Sequence, residues 1–212
     1  MSREFQSTVL IPCAGYVMAG GASARFGRDK ALVIVGGKPM LARMLELVQG
    51  VAKNVKIVGP PEKYSEFGFP LVTDQWPGEG PLGGIITALE DSARGEVPCA
   101  WNLIVSCDMP FLTHDWLAYL AERAAKSARQ VVLAHSGSGP EPLCACWRTS
   151  AAATLRSGFE RGVRKVTDGI ALLGAEVLDE ADWKRFDSAG RLFWNMNTAA
   201  DFDEIRRVWR AG

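Results

Sequence analysis

VMAGGASARFGRDKAL occupies residues 17–32, where an apolar run passes into a glycine pair and then into basic residues. Gly20 and Gly21 lack a Cβ, so backbone N–H groups there can approach an oligophosphate closely. Arg25 and Lys30 supply the positive charge that a triphosphate requires. The segment predicts a phosphate-binding loop at the end of a first strand. A glycine turn that only joins a strand to a helix is the alternative.

Two common phosphate-binding loops do not fit this spacing. A P-loop requires G-x-x-x-x-G-K-[ST], whereas Gly21 and Gly27 lie six residues apart and are followed by Arg28 and Asp29. The G-x-G-x-x-G pattern of dinucleotide-binding proteins is absent as well. The loop is therefore predicted to belong to another class of nucleotide site.

The rest of the chain alternates apolar runs, bounded by Gly, Pro or Asp, with amphipathic stretches of helix length. This alternation predicts an α/β fold with a mostly parallel sheet. We predict strands at 15–19, 55–58, 71–73, 101–106, 131–134 and 143–147, and a last one near Phe193. We predict helices at 39–49, 83–92, 115–128, 150–157, 163–173 and 198–209.

Three distinctive segments begin where predicted strands end. They are GGASARFGRDK after the first strand, Asp74 with PGEGPLGG after the third, and CDMPFL after the fourth. Ligands of open parallel sheets bind at the carboxyl ends of the strands. The three segments are therefore expected to meet in one cleft.

Asp108 follows the apolar run LIVS, within the CDMP segment at residues 107–110. A carboxylate at the end of a buried strand is costly unless it is paired, and a hard divalent cation that bridges phosphate oxygens is a natural partner. We therefore predict that Asp108 is a metal ligand. The alternative is a capping or turn aspartate, although Thr113 and Asp115 are better placed to start the next helix.

Two other segments carry candidate residues for binding a second substrate, which is called the acceptor below. Gly80 and Gly83 lie where a helix opens, and a helix N-terminus can face a phosphate. Asn195 and Asn197 would share one side of a strand, where amide oxygens can bind substrate or complete the shell of a cation. An ordinary Pro-Gly loop is the alternative for the glycines, and capping of the last helix by Asn197 or Thr198 is the alternative for the asparagines.

Composition limits the classes of protein to consider. The 212 residues, 48% of them hydrophobic, suffice for one domain with one core, and 24 Lys+Arg balance 24 Asp+Glu, so bulk charge points neither to nucleic acid nor to a membrane. The five cysteines are predicted to be reduced and mostly buried, with a Cys144–Cys146 redox pair as the alternative. The apolar stretch at 9–19 contains Pro12 and matches neither a secretion signal nor a membrane span, so we expect a cytoplasmic protein.

Six motifs make the chain resemble the molybdenum cofactor guanylyltransferases, within the nucleotidyltransferase superfamily. They read MAGGASARFGRDKAL, GGKPM, TDQWPGEGPLGGI, SCDMPFL, EPLCACW and NMNT, and they cover nearly the whole chain. The first motif is shared by the wider superfamily, whereas Asp29-Lys30, GPLGG and CDMP together point to the molybdopterin branch. Met18 and Phe26 stand where leucine and methionine are usual.

The resemblance implies a single domain over residues 1–212 with a three-layer α/β/α, Rossmann-like nucleotidyltransferase fold and a mostly parallel mixed sheet. The N-terminal half would bind the nucleotide and the C-terminal half would contribute the acceptor site. The implied enzyme is magnesium-dependent. It attaches GMP from GTP to the phosphate of molybdopterin, releases pyrophosphate, and makes transient contacts with other proteins of cofactor biosynthesis.

Site residues follow from the same resemblance and from the loop. The predicted nucleotide-binding residues are Met18, Ala19, Gly20, Gly21, Lys30, Asp74 and Asp108, and the predicted catalytic residues are Arg25, Lys30 and Asp108, with Asp108 holding Mg²⁺. Three alternatives remain: a cytidylyltransferase acting on the same cofactor, a sugar-phosphate nucleotidyltransferase, and a catalytically silent nucleotide-binding regulator.

Overall fold

Nine strands form two sheets in the computed structural model, which describes residues 13–20, 27–96, 99–187 and 189–211. They are β1 (Cys13–Met18), β2 (Ile34–Val35), β3 (Lys38–Pro39), β4 (Lys53–Val58), β5 (Leu71–Val72), β6 (Trp101–Ser106), β7 (Val131–Ser136), β8 (Gly139–Arg148) and β9 (Ala175–Leu178). Strands β2 and β3 form a small hairpin. The other seven form the central sheet in the order β5-β4-β1-β6-β8-β7-β9.

Strand direction brings the loops of interest to one edge of the central sheet. β5, β4, β1 and β6 pair in parallel, as do β7 and β9, whereas β8 is antiparallel to both of its neighbours. The predicted mostly parallel mixed sheet is confirmed. The segments that follow β1, β5 and β6 therefore all start from the same edge.

Eight α-helices lie between or after these strands within the described ranges. They are α1 (Met40–Gln49), α2 (Pro61–Tyr64), α3 (Pro81–Arg94), α4 (His114–Lys126), α5 (Ala151–Glu160), α6 (Val166–Ala171), α7 (Glu180–Trp183) and α8 (Ala199–Ala211). Local sequence sets where they start. Thr113 caps α4, because its side-chain oxygen accepts from the backbone N–H of Trp116, and Pro81 occupies the first turn of α3 directly after Gly80.

Helices cover both faces of the central sheet, which confirms the three-layer arrangement. Buried side chains of α1, α4 and α8, such as Leu45, Trp116 and Ile205, belong to the core on one face. Those of α3, α5 and α6, such as Ile86 and Leu155, belong to the core on the other face. The sheet edge between these layers is left for the loops.

The predicted strand near Phe193 is wrong. Residues 191–197 form turns and unpaired chain, and the last strand of the sheet is β9, which pairs with β7. The Phe193 ring instead lies edge-on to Trp116 and to Trp183, with ring centroids 5.6 Å and 5.3 Å apart. The apolar run here thus serves packing between helices rather than strand pairing.

Candidate active site

The end of β1 is tied to both of its neighbours. The carbonyl of Met18 accepts from the N–H of Cys107 at 3.1 Å, and the N–H of Ala19 donates to the carbonyl of Val58 at 2.9 Å. Gly20, the next residue, is exposed. Backbone at Met18 and Ala19 is therefore held at the sheet edge, and Ala19 is buried, whereas Gly20 is open to solvent. Two predicted residues, Gly21 and Arg25, lie outside the described part of the chain.

Lys30 stands in a single 3₁₀ turn, Lys30–Leu32, whose start is fixed by Asp29. The Oδ1 atom of Asp29 accepts from the N–H of Ala31 at 3.1 Å, and its Oδ2 atom accepts from the hydroxyl of Tyr64 at 2.9 Å. Tyr64 is itself 1% exposed. Asp29 is therefore a positioning residue that orients Lys30.

Lys30, Asp108 and Asn197 meet in one cluster, which we call the Lys30 cluster. The Nζ atom of Lys30 donates to Asp108 Oδ2 at 3.1 Å and to Asn197 Oδ1 at 2.9 Å. The side chains of Lys30 and Asp108 are only 18% and 16% exposed. Residues separated by 78 and 167 positions thus form one charged site at the carboxyl ends of β1 and β6.

Asp108 is also fixed from its own strand. The hydroxyl of Ser106, the last residue of β6, donates to Asp108 Oδ1 at 2.6 Å. With Lys30 on Oδ2, both carboxylate oxygens have partners. Ser106 was not among the predicted site residues, and its position at the strand end two residues before Asp108 was the signal that could have indicated it.

Asn197 reaches the cluster through a loop rather than a strand. The N–H of Met196 donates to the carbonyl of Asp108 at 2.9 Å, which holds the two segments together. Asp201 in α8 then accepts from the N–H groups of Asn197 and Thr198 at 2.9 Å and 2.7 Å. Asn195 turns away, since its amide donates to the carbonyl of Phe193. The predicted shared strand face of the two asparagines is therefore wrong, because the strand is absent.

Asp74 lies on the side of Met18 opposite to the segment of Asp108. Its Oδ1 atom accepts from the N–H of Trp76 at 3.0 Å and from the hydroxyl of Thr87 at 3.3 Å. A Cβ placed on Gly84 would lie 2.2 Å from Met18 Cε and 4.0 Å from Asp74 Oδ2. Gly84 therefore leaves room for the end of the Met18 side chain between α3 and the strand end. The side chain of Met18 thus adjoins Asp74, while its carbonyl is bound to the segment of Asp108.

The two glycines predicted for the acceptor site differ in access. Gly80 is exposed and precedes α3 with a φ of 93°, a value that favours glycine. Gly83 is buried, and a Cβ there would lie 3.0 Å from Cβ of Trp76. Gly83 therefore allows Trp76 to pack on α3, whereas Gly80 remains open to a ligand.

The chemistry of the Lys30 cluster suits a polyphosphate with a hard cation. A carboxylate oxygen of Asp108 and an amide oxygen of Asn197 contact the Lys30 ammonium, and oxygen is the ligand that Mg²⁺ prefers. Within the described ranges, no group of three or more His, Cys, Asp or Glu side chains is placed to hold a metal. Mg²⁺ commonly binds through one or two carboxylates together with substrate phosphates and water, so one carboxylate is compatible with it.

The cysteines lie apart from this chemistry. Cys144 and Cys146 are buried in the core as free thiols, and burial raises the pKa of Cys144 to about 12. Burial likewise raises the pKa of Cys107, next to Asp108, well above its usual range. These thiols are held in the unreactive protonated form.

None of the helices in the described ranges combines the length and the apolar character that a membrane span requires.

Comparison with known proteins gives consistent relatives. Residues 15–175 match the family described as the MobA-like NTP transferase domain. A probable molybdenum cofactor guanylyltransferase of Deinococcus radiodurans is 37% identical over 143 residues, which cover 66% of this chain and 70% of the relative. A molybdenum cofactor guanylyltransferase of Mesorhizobium japonicum is 32% identical over 203 residues, which cover 92% of this chain and 95% of the relative.

A solved structure agrees in fold. The crystal structure of molybdopterin-guanine dinucleotide biosynthesis protein A from Archaeoglobus fulgidus superposes with a TM-score of 0.79 at 24% identity. The match covers 94% of this chain and 100% of that chain. The arrangement of strands and helices described above is thus found in another protein with a distantly related sequence.

Proposed function

Because the chain belongs to the MobA-like NTP transferase family, we propose that it transfers GMP from GTP to the phosphate of molybdopterin and releases pyrophosphate. The names of the relatives from Deinococcus radiodurans and Mesorhizobium japonicum support this activity. The observation that carries the proposal is the Lys30 cluster, in which an ammonium, a carboxylate and an amide oxygen lie at the open end of β1 and β6.

The proposed reaction is an in-line substitution at the α-phosphorus of GTP. An oxygen of the acceptor phosphate forms the new P–O bond, and the bond to the leaving pyrophosphate breaks. Such a transfer needs positioning and charge neutralisation more than covalent help from the protein. Exposed backbone at Gly20 would receive the phosphates, and Arg25 stays a proposed cation from the sequence alone.

The two side-chain contacts of Lys30 can be exchanged when substrate binds. Its ammonium is bound to Asp108 and Asn197, so entry of a triphosphate would exchange these contacts for phosphate oxygens. The Asp108 carboxylate released in this way is free to bind a cation. We propose Mg²⁺ as the cofactor, with Asp108 as its protein ligand. When bound, it would neutralise negative charge on the phosphates.

We place the nucleotide beside Met18, between Asp74 and Asp108, and the acceptor near Gly80 and Asn197. Asn195 has less support, because its amide is bound to its own loop. The five free cysteines accord with a reducing compartment such as the cytoplasm, where GTP is available. Contacts with other proteins of cofactor biosynthesis remain a proposal from the family alone.

A panel of four nucleoside triphosphates tests the function directly. Each is incubated with the protein, MgCl₂ and molybdopterin, and both pyrophosphate and the dinucleotide product are measured. We expect product with GTP only, and none when EDTA is added. Product with CTP would instead identify a cytidylyltransferase, and reaction only with sugar phosphates a sugar-nucleotide enzyme. Nucleotide binding without pyrophosphate release for any acceptor would identify a silent regulator.

A further inference from the structure

A second cavity lies beside the turn that carries Lys30. It measures about 610 Å³ and is bounded by residues 28–29 and 32–33, by the β2–β3 hairpin and by one side of α8. Neither Lys30, Asp108 nor Asn197 lines it. Its volume falls within the range of small-molecule sites, and the nucleotide and acceptor sites proposed above leave it unused. We call it the α8 cavity.

Large apolar side chains that are exposed to solvent form part of the wall of the α8 cavity. Leu32 and Ile34 line it and are 41% and 52% exposed. Trp209 forms part of the opposite wall and is held in place by the guanidinium of Arg43, 4.2 Å from its ring centroid. A Cβ on Gly36 would lie 2.0 Å from Trp209 Nε1, so hairpin and helix are in close contact. The apolar walls are therefore preformed.

The rim of the cavity carries positive charge that the described residues do not neutralise. Arg28, Arg206 and Arg210 line the cavity, and none of them forms a hydrogen bond or ion pair with another described residue, although the Arg206 guanidinium lies over the Phe202 ring, 5.3 Å from its centroid. Arg206 and Arg210 lie four positions apart in α8, where like charges destabilise a helix. The carboxylate of Asp29, also in the lining, accepts from Tyr64, and its charge is offset by Lys63, whose Nζ lies 3.8 Å from Asp29 Oδ2. This arrangement is complementary to an anion.

We propose that the α8 cavity binds a small organic anion with an apolar body and a phosphate-like group. The body would pack against Leu32, Ile34 and Trp209. The anionic group would accept hydrogen bonds from Arg206 and Arg210, whose planar guanidinium groups suit phosphate oxygens. Two exposed aliphatic side chains are far less than a stable protein interface needs, which favours a small ligand over a protein partner.

Calorimetric titration of the full chain with 2-naphthyl phosphate tests this site, in the presence of saturating GTP and MgCl₂ to occupy the nucleotide site. We expect one equivalent of the probe to bind. Inorganic phosphate and 2-naphthol each carry half of the recognised chemistry and are expected to bind at least about tenfold more weakly. Complete displacement of the probe by GTP, or equal binding of 2-naphthol, would overturn the proposal.

Substitutions in α8 test the site and supply a control on the same helix. The double variant Arg206→Ala/Arg210→Ala is expected to weaken probe binding at least about tenfold, because charge-assisted hydrogen bonds are lost. Arg207→Ala removes one positive charge, against two in the double variant, from an exposed position of the same helix that does not line the cavity, and it should leave binding unchanged. Equal weakening by Arg207→Ala would show nonspecific attraction and refute the site. Thermal unfolding of each variant checks that the fold is kept, and it does not depend on catalysis.

Discussion

Replacement of Asp108 by asparagine removes one negative charge from the Lys30 cluster and keeps the shape of the side chain. We expect this change to reduce activity far more than stability. The reason is that the carboxylate contributes to folding through one ion pair, whereas in the proposed reaction it holds the cation that neutralises the phosphates.

The structure limits the stability loss. Lys30 Nζ lies 3.1 Å from Asp108 Oδ2, and the two side chains are 18% and 16% exposed. At an effective dielectric constant of about 20, the Coulomb attraction at this distance is about 5 kcal/mol before desolvation and side-chain entropy are subtracted. The asparagine oxygen can still accept from Lys30, and the hydroxyl of Ser106 can rotate to accept from the new amide. The free energy of unfolding should fall by about 1 to 2 kcal/mol.

The expected loss of activity is larger. Removal of one preorganised electrostatic contact to the reacting groups costs roughly 3 to 4 kcal/mol, or about 100- to 1,000-fold in kcat/KM. Pyrophosphate release with GTP, MgCl₂ and molybdopterin measures this quantity, and urea unfolding measures stability. A variant within about threefold of the wild type would remove Asp108 from the reaction, since such a ratio corresponds to less than 1 kcal/mol.

Asp91→Asn is the matched control for this experiment. Asp91 pairs with Lys56 at 2.7 Å, and the side chains of Lys56 and Asp91 are 27% and 22% exposed, so the ion pair resembles that of Lys30 and Asp108. It lies about 15 Å along α3 from Pro81, at 1.5 Å per residue, and so away from the reacting edge. We expect a comparable loss of stability and no loss of kcat/KM. An equal activity loss in both variants would refute the reasoning.

Three further changes have defined outcomes. Asn197→Ala should lower kcat/KM about tenfold, because Asn197 orients the Lys30 ammonium and lies in the proposed acceptor site, with urea unfolding nearly unchanged; wild-type kinetics would make the contact incidental. Burial raises the pKa of the Glu141 carboxyl above its usual 4.5, so the ionised carboxylate lowers the stability of the folded protein at high pH. Glu141→Gln should therefore stabilise the protein at pH 8, and this gain should vanish as the pH falls towards 4.5. Lower stability of that variant at pH 8, by urea unfolding, would contradict this sign. A thiol reagent should modify half-buried Cys99 first and the four buried cysteines only after unfolding; early paired loss of Cys144 and Cys146 would favour the redox alternative.

Much of the fold could be predicted because local patterns and tertiary structure agree. The segment at 101–106 forms β6 with the predicted bounds, because a short apolar run of strand length is well buried as a central strand. The segment at 163–173 shortened to α6, Val166–Ala171, because periodicity does not fix helix ends. The predicted strand near Phe193 was wrong for a related reason, because a short apolar run by itself does not distinguish strand pairing from packing between helices.

By itself, the sequence determined the α/β class and the residues with chemistry to offer, because strand and helix periodicities and the properties of Lys30 and Asp108 are local. Only the tertiary structure decided that Lys30 Nζ contacts both Asp108 and Asn197, that Asn195 turns to its own backbone, and that Gly83 lies beneath Trp76. These contacts join residues far apart in the chain. They depend on strand order and on how loops are tied across the sheet edge, and no local pattern encodes such distances.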